Sequence, residues 1–64
     1  MTVNDILQLI DFPDIQKVSI YDYDVWDTVQ EDFADCIFPS YMDRQIRGIE
    51  VKNSVLILNL EATK

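Results

Sequence analysis

Val3, Ile6, Leu7 and Ile10 recur at helical spacing behind Thr2 and Asp5, a pair with the S/T-x-x-D/E form of a capping box. Phe12-Pro13 supplies the stop, because proline disfavours α geometry in the residue before it. The pattern predicts a helix over residues 3–11. The period then changes to two. Over residues 17–23, Val18 and Ile20 fall on one face and Ser19, Tyr21 and Tyr23 on the other, which reads as a strand. After a turn, residues 28–33 read as a second strand. Its alternation is imperfect, since Val29 and Phe33 share parity with Glu31, and either a bulge or an edge position accounts for that.

Residues 39–43 fit a single helical turn opened by Pro39. Residues 45–51 and 54–60 read as two further strands joined at Lys52-Asn53, where Asn53 tolerates the left-handed conformation of a tight hairpin. Gly48, the one glycine, marks a bulge or a close-packed position. Val55, Leu56, Ile57 and Leu58 are apolar on both parities, as in a central strand covered on both faces. Residues 61–64 read as a frayed end. The expected fold is a single small α+β domain over residues 1–64. It has one N-terminal helix on a mostly antiparallel four-stranded sheet, in the order α-β-β-short helical turn-β-β. The expected core comprises Ile6, Leu7, Ile10, Val18, Ile20, Ile49, Val51, Leu56 and Leu58.

Charge narrows the function. The chain has 64 residues, with 5 Lys and Arg against 12 Asp and Glu, for a net charge of −7. This excludes direct nucleic-acid binding, which needs a basic face, and argues against an anionic membrane surface. The longest apolar-rich run, from Val55 to Leu60, is far short of the ~20 residues that span a bilayer. Cys36 is the single cysteine, so no internal disulfide forms, and a cytoplasmic location is expected for so small an unstapled domain.

Between Lys17 and Arg44 there is no basic residue but seven acids: Asp22, Asp24, Asp27, Glu31, Asp32, Asp35 and Asp43. Asp22 and Asp24 share one parity of a strand, which sets their side chains ~6.6 Å apart, a spacing like that of successive phosphates. Tyr21, Tyr23, Trp26 and Tyr41 lie near these acids, and tyrosine and tryptophan are favoured anchors at protein interfaces. Trp26 serves either as such an anchor or as a lid on the end of the core. The expectation is a surface that imitates a nucleic-acid backbone and binds a basic, nucleic-acid-handling protein. It is built from Asp22, Asp24, Asp27, Glu31, Asp32 and Asp35, with Tyr21, Tyr23 and Trp26. The alternative is a self-associating structural or regulatory adaptor, a homodimer through the outer sheet face around Tyr21, Tyr23 and Ile57, with a merely solvated acidic face.

Other chemistry fits poorly. Asp22-x-Asp24-x-x-Asp27 suggests a divalent-cation loop, but the sixth position from Asp22 is Asp27 rather than Gly and the twelfth is Phe33 rather than Glu. One cysteine without histidine makes a poor zinc site. Cys36 lacks a base and neighbours Asp32 and Asp35, which raise a thiol pKa, so it reads as a buried spectator. No catalytic residues, metal or cofactor are expected, and the chain reads as a non-enzyme.

The segments Val3-x-x-Ile6-Leu7-x-x-Ile10, Lys17-Val18-Ser19-Ile20-Tyr21-Asp22, Asp43-Arg44-Gln45-Ile46 and Ser54-Val55-Leu56-Ile57-Leu58 together resemble short acidic accessory proteins of phages and mobile elements of Gram-positive bacteria. The resemblance implies an anti-CRISPR-like inhibitor that blocks the nucleic-acid channel of a Cas effector. This chain departs from the commoner pattern in having Glu31-Asp32 where a glycine would follow the first hairpin.

Overall fold

The computed structural model describes residues 1–63. Five residues form the only α-helix among them, α1 (Val3–Leu7). Thr2 and Asp5 close the capping box: the Thr2 N–H donates to Asp5 Oδ2 at 3.0 Å and the Asp5 N–H to Thr2 Oγ1 at 3.2 Å. The Thr2 backbone N–H, and then the Thr2 hydroxyl, hold the Asp5 carboxyl below its ordinary value of 3.8. Two more amides of the first turn find carbonyls across the chain, Val3 N–H on Arg44 at 3.0 Å and Asn4 N–H on Met42 at 3.1 Å. The helix start is therefore fully partnered and stitched to residues 42–46. It ends sooner than its periodicity predicts. Leu9 and Ile10 donate three residues back, to Ile6 and Leu7, so the second turn winds into a tighter form before Phe12-Pro13 is reached.

Strands β1 (Lys17–Asp22), β2 (Asp27–Phe33), β3 (Ile46–Lys52) and β4 (Val55–Leu60) form one sheet in the order β2-β1-β4-β3. Two 3₁₀ turns, Ala34–Cys36 and Pro39–Tyr41, lie between β2 and β3. Both outer pairings are antiparallel, while the central pair β1 and β4 runs parallel, with Ile20 opposite Leu58. The fold is thus α+β with a mixed, mostly antiparallel sheet, and β4 is central as its composition predicts.

Both irregularities foreseen in β2 are present. It is an edge strand, and its register slips where Ile20 pairs with Gln30 and Tyr21 with Thr28, leaving Val29 as the extra residue of a bulge. A second slip leaves Arg47 over between Ile46 and Gly48. Gly48 adjoins this bulge and is not closely packed, since a Cβ there would meet nothing within 4 Å.

One face of the sheet carries the core. Val3, Val18, Ile20, Leu58 and Leu60 are fully buried, joined by Ile6, Leu7, Ala34 and Ile37. Ile10 and Leu56 pack at its margin. Ile49 and Val51 share this face through their pairing with Leu58 and Leu56, yet they are 45% and 72% exposed, so they do not belong to the core. The reason is geometric. A five-residue helix is about 7.5 Å long, whereas four strands at ~4.8 Å spacing make a sheet roughly twice as wide. Helix α1 and the 3₁₀ segments cover β1 and β4 and leave the β3 side bare. Nor is β4 covered on both faces: Ile57, paired with Ser19 and Glu50, lies half-buried on the face opposite the core.

The β3–β4 turn is Asn53-Ser54, one residue later than predicted, with φ of 54° and 64°. Two successive left-handed residues are the signature of a type I′ hairpin, and serine is poorly suited to its second position. Ser54→Gly is expected to stabilise the fold by about 0.5–1 kcal/mol. Thermal melting should show a gain of a few degrees; an unchanged midpoint would mean that the turn stores no strain.

Residues 61–63 are tied down rather than frayed. The Glu61 N–H donates to the Gln45 carbonyl at 2.8 Å, and the Thr63 N–H donates to Asp24 Oδ1 at 2.9 Å. Lys64 lies outside the described residues.

Candidate functional site: an acidic sheet edge

The six acids of residues 22–35 divide into two groups. Asp22 and Asp24 belong to the first. Strand β1 ends at Asp22, and Asp24 lies in the turn beyond it. The two therefore do not share a strand face, and the phosphate-like spacing does not arise. Their carboxylates instead converge on Arg44. Its Nη1 donates to Asp22 Oδ2 and its Nη2 to Asp22 Oδ1, both at 3.0 Å, while Nη2 also reaches Asp24 Oδ2 at 3.1 Å. Asp22 additionally accepts from the Asp24 N–H at 2.9 Å, and Asp24 from the hydroxyl of Thr63. The Arg44 hydrogen bonds hold the Asp22 carboxyl below its ordinary 3.8, and Asp22 in turn raises the Arg44 guanidinium. Asp22 is only 6% exposed. This pair is a structural clamp joining the first hairpin, residue 44 and the C-terminal segment, and Asp22 is not offered to a partner.

Asp27, Glu31, Asp32 and Asp35 form the second group. They lie along edge strand β2 and the 3₁₀ turn that follows it, over roughly 20 Å of edge. Asp27, Glu31 and Asp35 are exposed and Asp32 is half-buried. Both ion pairs among the described residues use Arg44, so none of these four carboxylates is neutralised by a cation. Glu31, opposite Ser19, lies on the open face, and Asp32, opposite Val18, on the core side, so the charge wraps the edge. Asp27 and Asp32 also accept from the backbone N–H of the next residue, Thr28 and Phe33, each at 2.8 Å. Gln30 fixes the segment beyond β2 by donating to the Cys36 carbonyl and accepting from the Phe38 N–H, both at 2.9 Å.

The aromatics form a ladder at the hairpin tip. Tyr21 meets Tyr23 edge-on at 5.0 Å, Tyr23 meets Trp26 at 5.4 Å, and the Arg47 guanidinium sits 4.5 Å over the Tyr23 ring. Tyr21 and Tyr23 are half-buried. Trp26 does not close the core: it is 73% exposed and holds a left-handed φ of 56°. A bulky residue in that conformation costs roughly 1–2 kcal/mol. Here the exposed tryptophan immediately precedes Asp27 in the chain.

Cys36 is exposed rather than buried, and its thiol donates to Asp35 Oδ1 at 3.3 Å. That hydrogen bond, followed by desolvation and the charges of Asp35 and Asp32, raises its pKa above the ordinary 9.0. Alkylation by iodoacetamide at pH 8 is expected to run several-fold slower than for free cysteine and to speed up in Asp35→Asn. A rate equal to that of free cysteine would contradict the Asp35 contact. No group of three or more His, Cys, Asp or Glu among the described residues could hold a metal ion. No helix among them is long and apolar enough to cross a membrane.

Sequence patterning located the acidic strand and the aromatics. It missed Arg44 as the sink for Asp22 and Asp24, although Arg44 is the first basic residue after the acidic run. Comparison with known proteins finds no matching family model, no matching curated protein and no matching solved structure.

Proposed function

We propose that this protein is an inhibitory binding module whose acidic β2 edge occupies a Lys/Arg-lined nucleic-acid groove on a bacterial protein, with Trp26 as an aromatic anchor beside it. The observation that carries the reading is that, among the described residues, no cation pairs with Asp27, Glu31, Asp32 or Asp35 along one edge, in a chain whose Arg44 is spent on two other acids. Carboxylates free of counter-charges keep their attraction for a basic partner, and such attraction speeds encounter and weakens with salt. The resemblance to phage accessory proteins points to a CRISPR-Cas effector in the bacterial cytoplasm as the target class, and no catalytic step is assigned. The test is capture with tagged protein from lysate of a CRISPR-bearing host, at low and high salt. Retention of a Cas effector or another basic nucleic-acid-binding protein, lost at high salt, supports the reading. Capture of no such protein counts against it.

A further inference from the structure

The two sheet edges are built differently. On β2, the Thr28 and Phe33 amides are occupied by the preceding aspartates, a bulge breaks the register, and the carboxylates repel an approaching acidic chain. The middle of β3 has no such protection. In a type I′ hairpin the Lys52 carbonyl bonds back to the Val55 N–H. Backbone direction alternates along a strand, so Lys52 and Glu50 face β4, while Val51 and Ile49 turn their N–H and C=O groups to the open edge. Their side chains are exposed. Val51 also forms part of the wall of a 540 Å³ apolar groove with Ile10, Phe12, Ile15 and Leu56. Phe12 and Ile15 are themselves 66% and 69% exposed.

We infer that β3 is a self-pairing edge, and that a second copy of this chain adds antiparallel to it about a two-fold axis through Val51. In that register Glu50 lies opposite Lys52 of the second copy, and Lys52 opposite its Glu50, so the strand is electrostatically complementary to itself. Glu50 is exposed, and its one side-chain partner among the described residues is the neutral Asn59 amide at 3.3 Å. Of the neighbouring registers, centring on Glu50 sets Glu50 against itself, and moving the axis from there half a residue toward Ile49 sets Arg47 against Lys52. Strand β3 itself carries Arg47, Glu50 and Lys52, a net +1 in a chain of −7. It is the edge at which two acidic molecules can meet with β2 turned away. Pairing brings Val51 of each copy together on the core side of the joined sheet, beside the grooves that Phe12 and Ile15 leave open. This surface differs from the acidic edge, and the two answer salt oppositely: self-pairing persists or strengthens with salt, as repulsion between two −7 chains is screened.

Sedimentation velocity from micromolar to near-millimolar concentration reads the outcome directly. The expected result is a shift from 7.5 kDa to twice that mass, retained at high salt. Val51→Lys, at a 72% exposed position, is expected to keep the native circular dichroism and to abolish the dimer. Glu50→Lys should weaken it about tenfold by facing Lys52 of the second copy, and the exchange Glu50→Lys with Lys52→Glu should restore it. A monomer at every concentration overturns the inference. So does a dimer indifferent to Val51→Lys, or one lost instead on substituting Tyr21 or Ile57 on the open face.

Discussion

Replacing Arg44 with methionine is expected to cost about 2–4 kcal/mol of stability. A 64-residue domain has only ~3–10 kcal/mol in all, so the variant should melt about 10–25 °C lower. The loss comes from what is left behind rather than from the arginine itself. Asp22 and Asp24 have side chains 8% and 15% exposed, and removing the guanidinium takes away the cation that both carboxylates share across the turn. The cost stays below that of a deeply buried pair because the molecule is only 17 Å across its shortest dimension, so water is never far away. Asp22→Asn combined with Arg44→Met should recover part of the loss, since the stranded charge is then gone. If the double variant is no more stable than Arg44→Met, charge stranding is not the cause.

The clamp also sets the response to acid. Arg44 lowers the Asp22 pKa in the folded state, so the contribution of Asp22 is complete above its ordinary value of 3.8 and is lost as pH falls below that through the folded value. Protonating exposed carboxylates works in the other direction, by relieving self-repulsion in a chain of −7. Urea denaturation should therefore show the native chain weakening below the ordinary aspartate range, while Arg44→Met is flat or gains. Parallel acid profiles for the two would remove Asp22 from the account.

The second large effect concerns binding. Reversing Asp27, Glu31 and Asp35 together to lysine changes the net charge from −7 to −1, since each reversal adds two and three add six. All three are exposed and outside the ion pairs, so each should alter stability by no more than about 0.5 kcal/mol. Affinity for a basic partner should fall about a hundredfold or more, because lysine placed against lysine or arginine replaces attraction with repulsion. Reversing Asp11, Asp43 and Glu61 makes the same change in net charge away from β2 and its following turn. Affinity retained in that control would assign the effect to the edge rather than to overall charge. Equal losses in both variants would reduce the acidic edge to a share of a diffuse field.

Local signals were legible in the chain. The Thr2–Asp5 box, the alternation through Val18 and Ile20, the disturbed parity around Val29 and the hairpin at Asn53 each rest on residues within a few positions of one another, and each appears in the fold. What the chain concealed depends on distant pairing. Nothing near Lys17 or Val55 announces that β1 and β4 run parallel. Ile49 and Val51 have the alternation of core residues, and only the shortness of α1 and the outer position of β3 leave them bare. Asp22 and Arg44 are 22 positions apart, so a run of acids read along the sequence looked uniformly available when its first two members were already taken. Glu31 and Asp32 lie on the second strand, as predicted, while Asp27 opens that strand instead of ending the turn before it and Asp35 falls in a 3₁₀ turn.

The most direct test is displacement of labelled DNA or RNA from the basic partner that the tagged protein captures, read by fluorescence anisotropy for the native chain and the Asp27→Lys/Glu31→Lys/Asp35→Lys variant side by side. The native chain is expected to release the nucleic acid in proportion to its own binding, less effectively as salt rises, and the variant to release none. Displacement by both proteins alike, or binding by the native chain that leaves the nucleic acid in place, would contradict the proposed function.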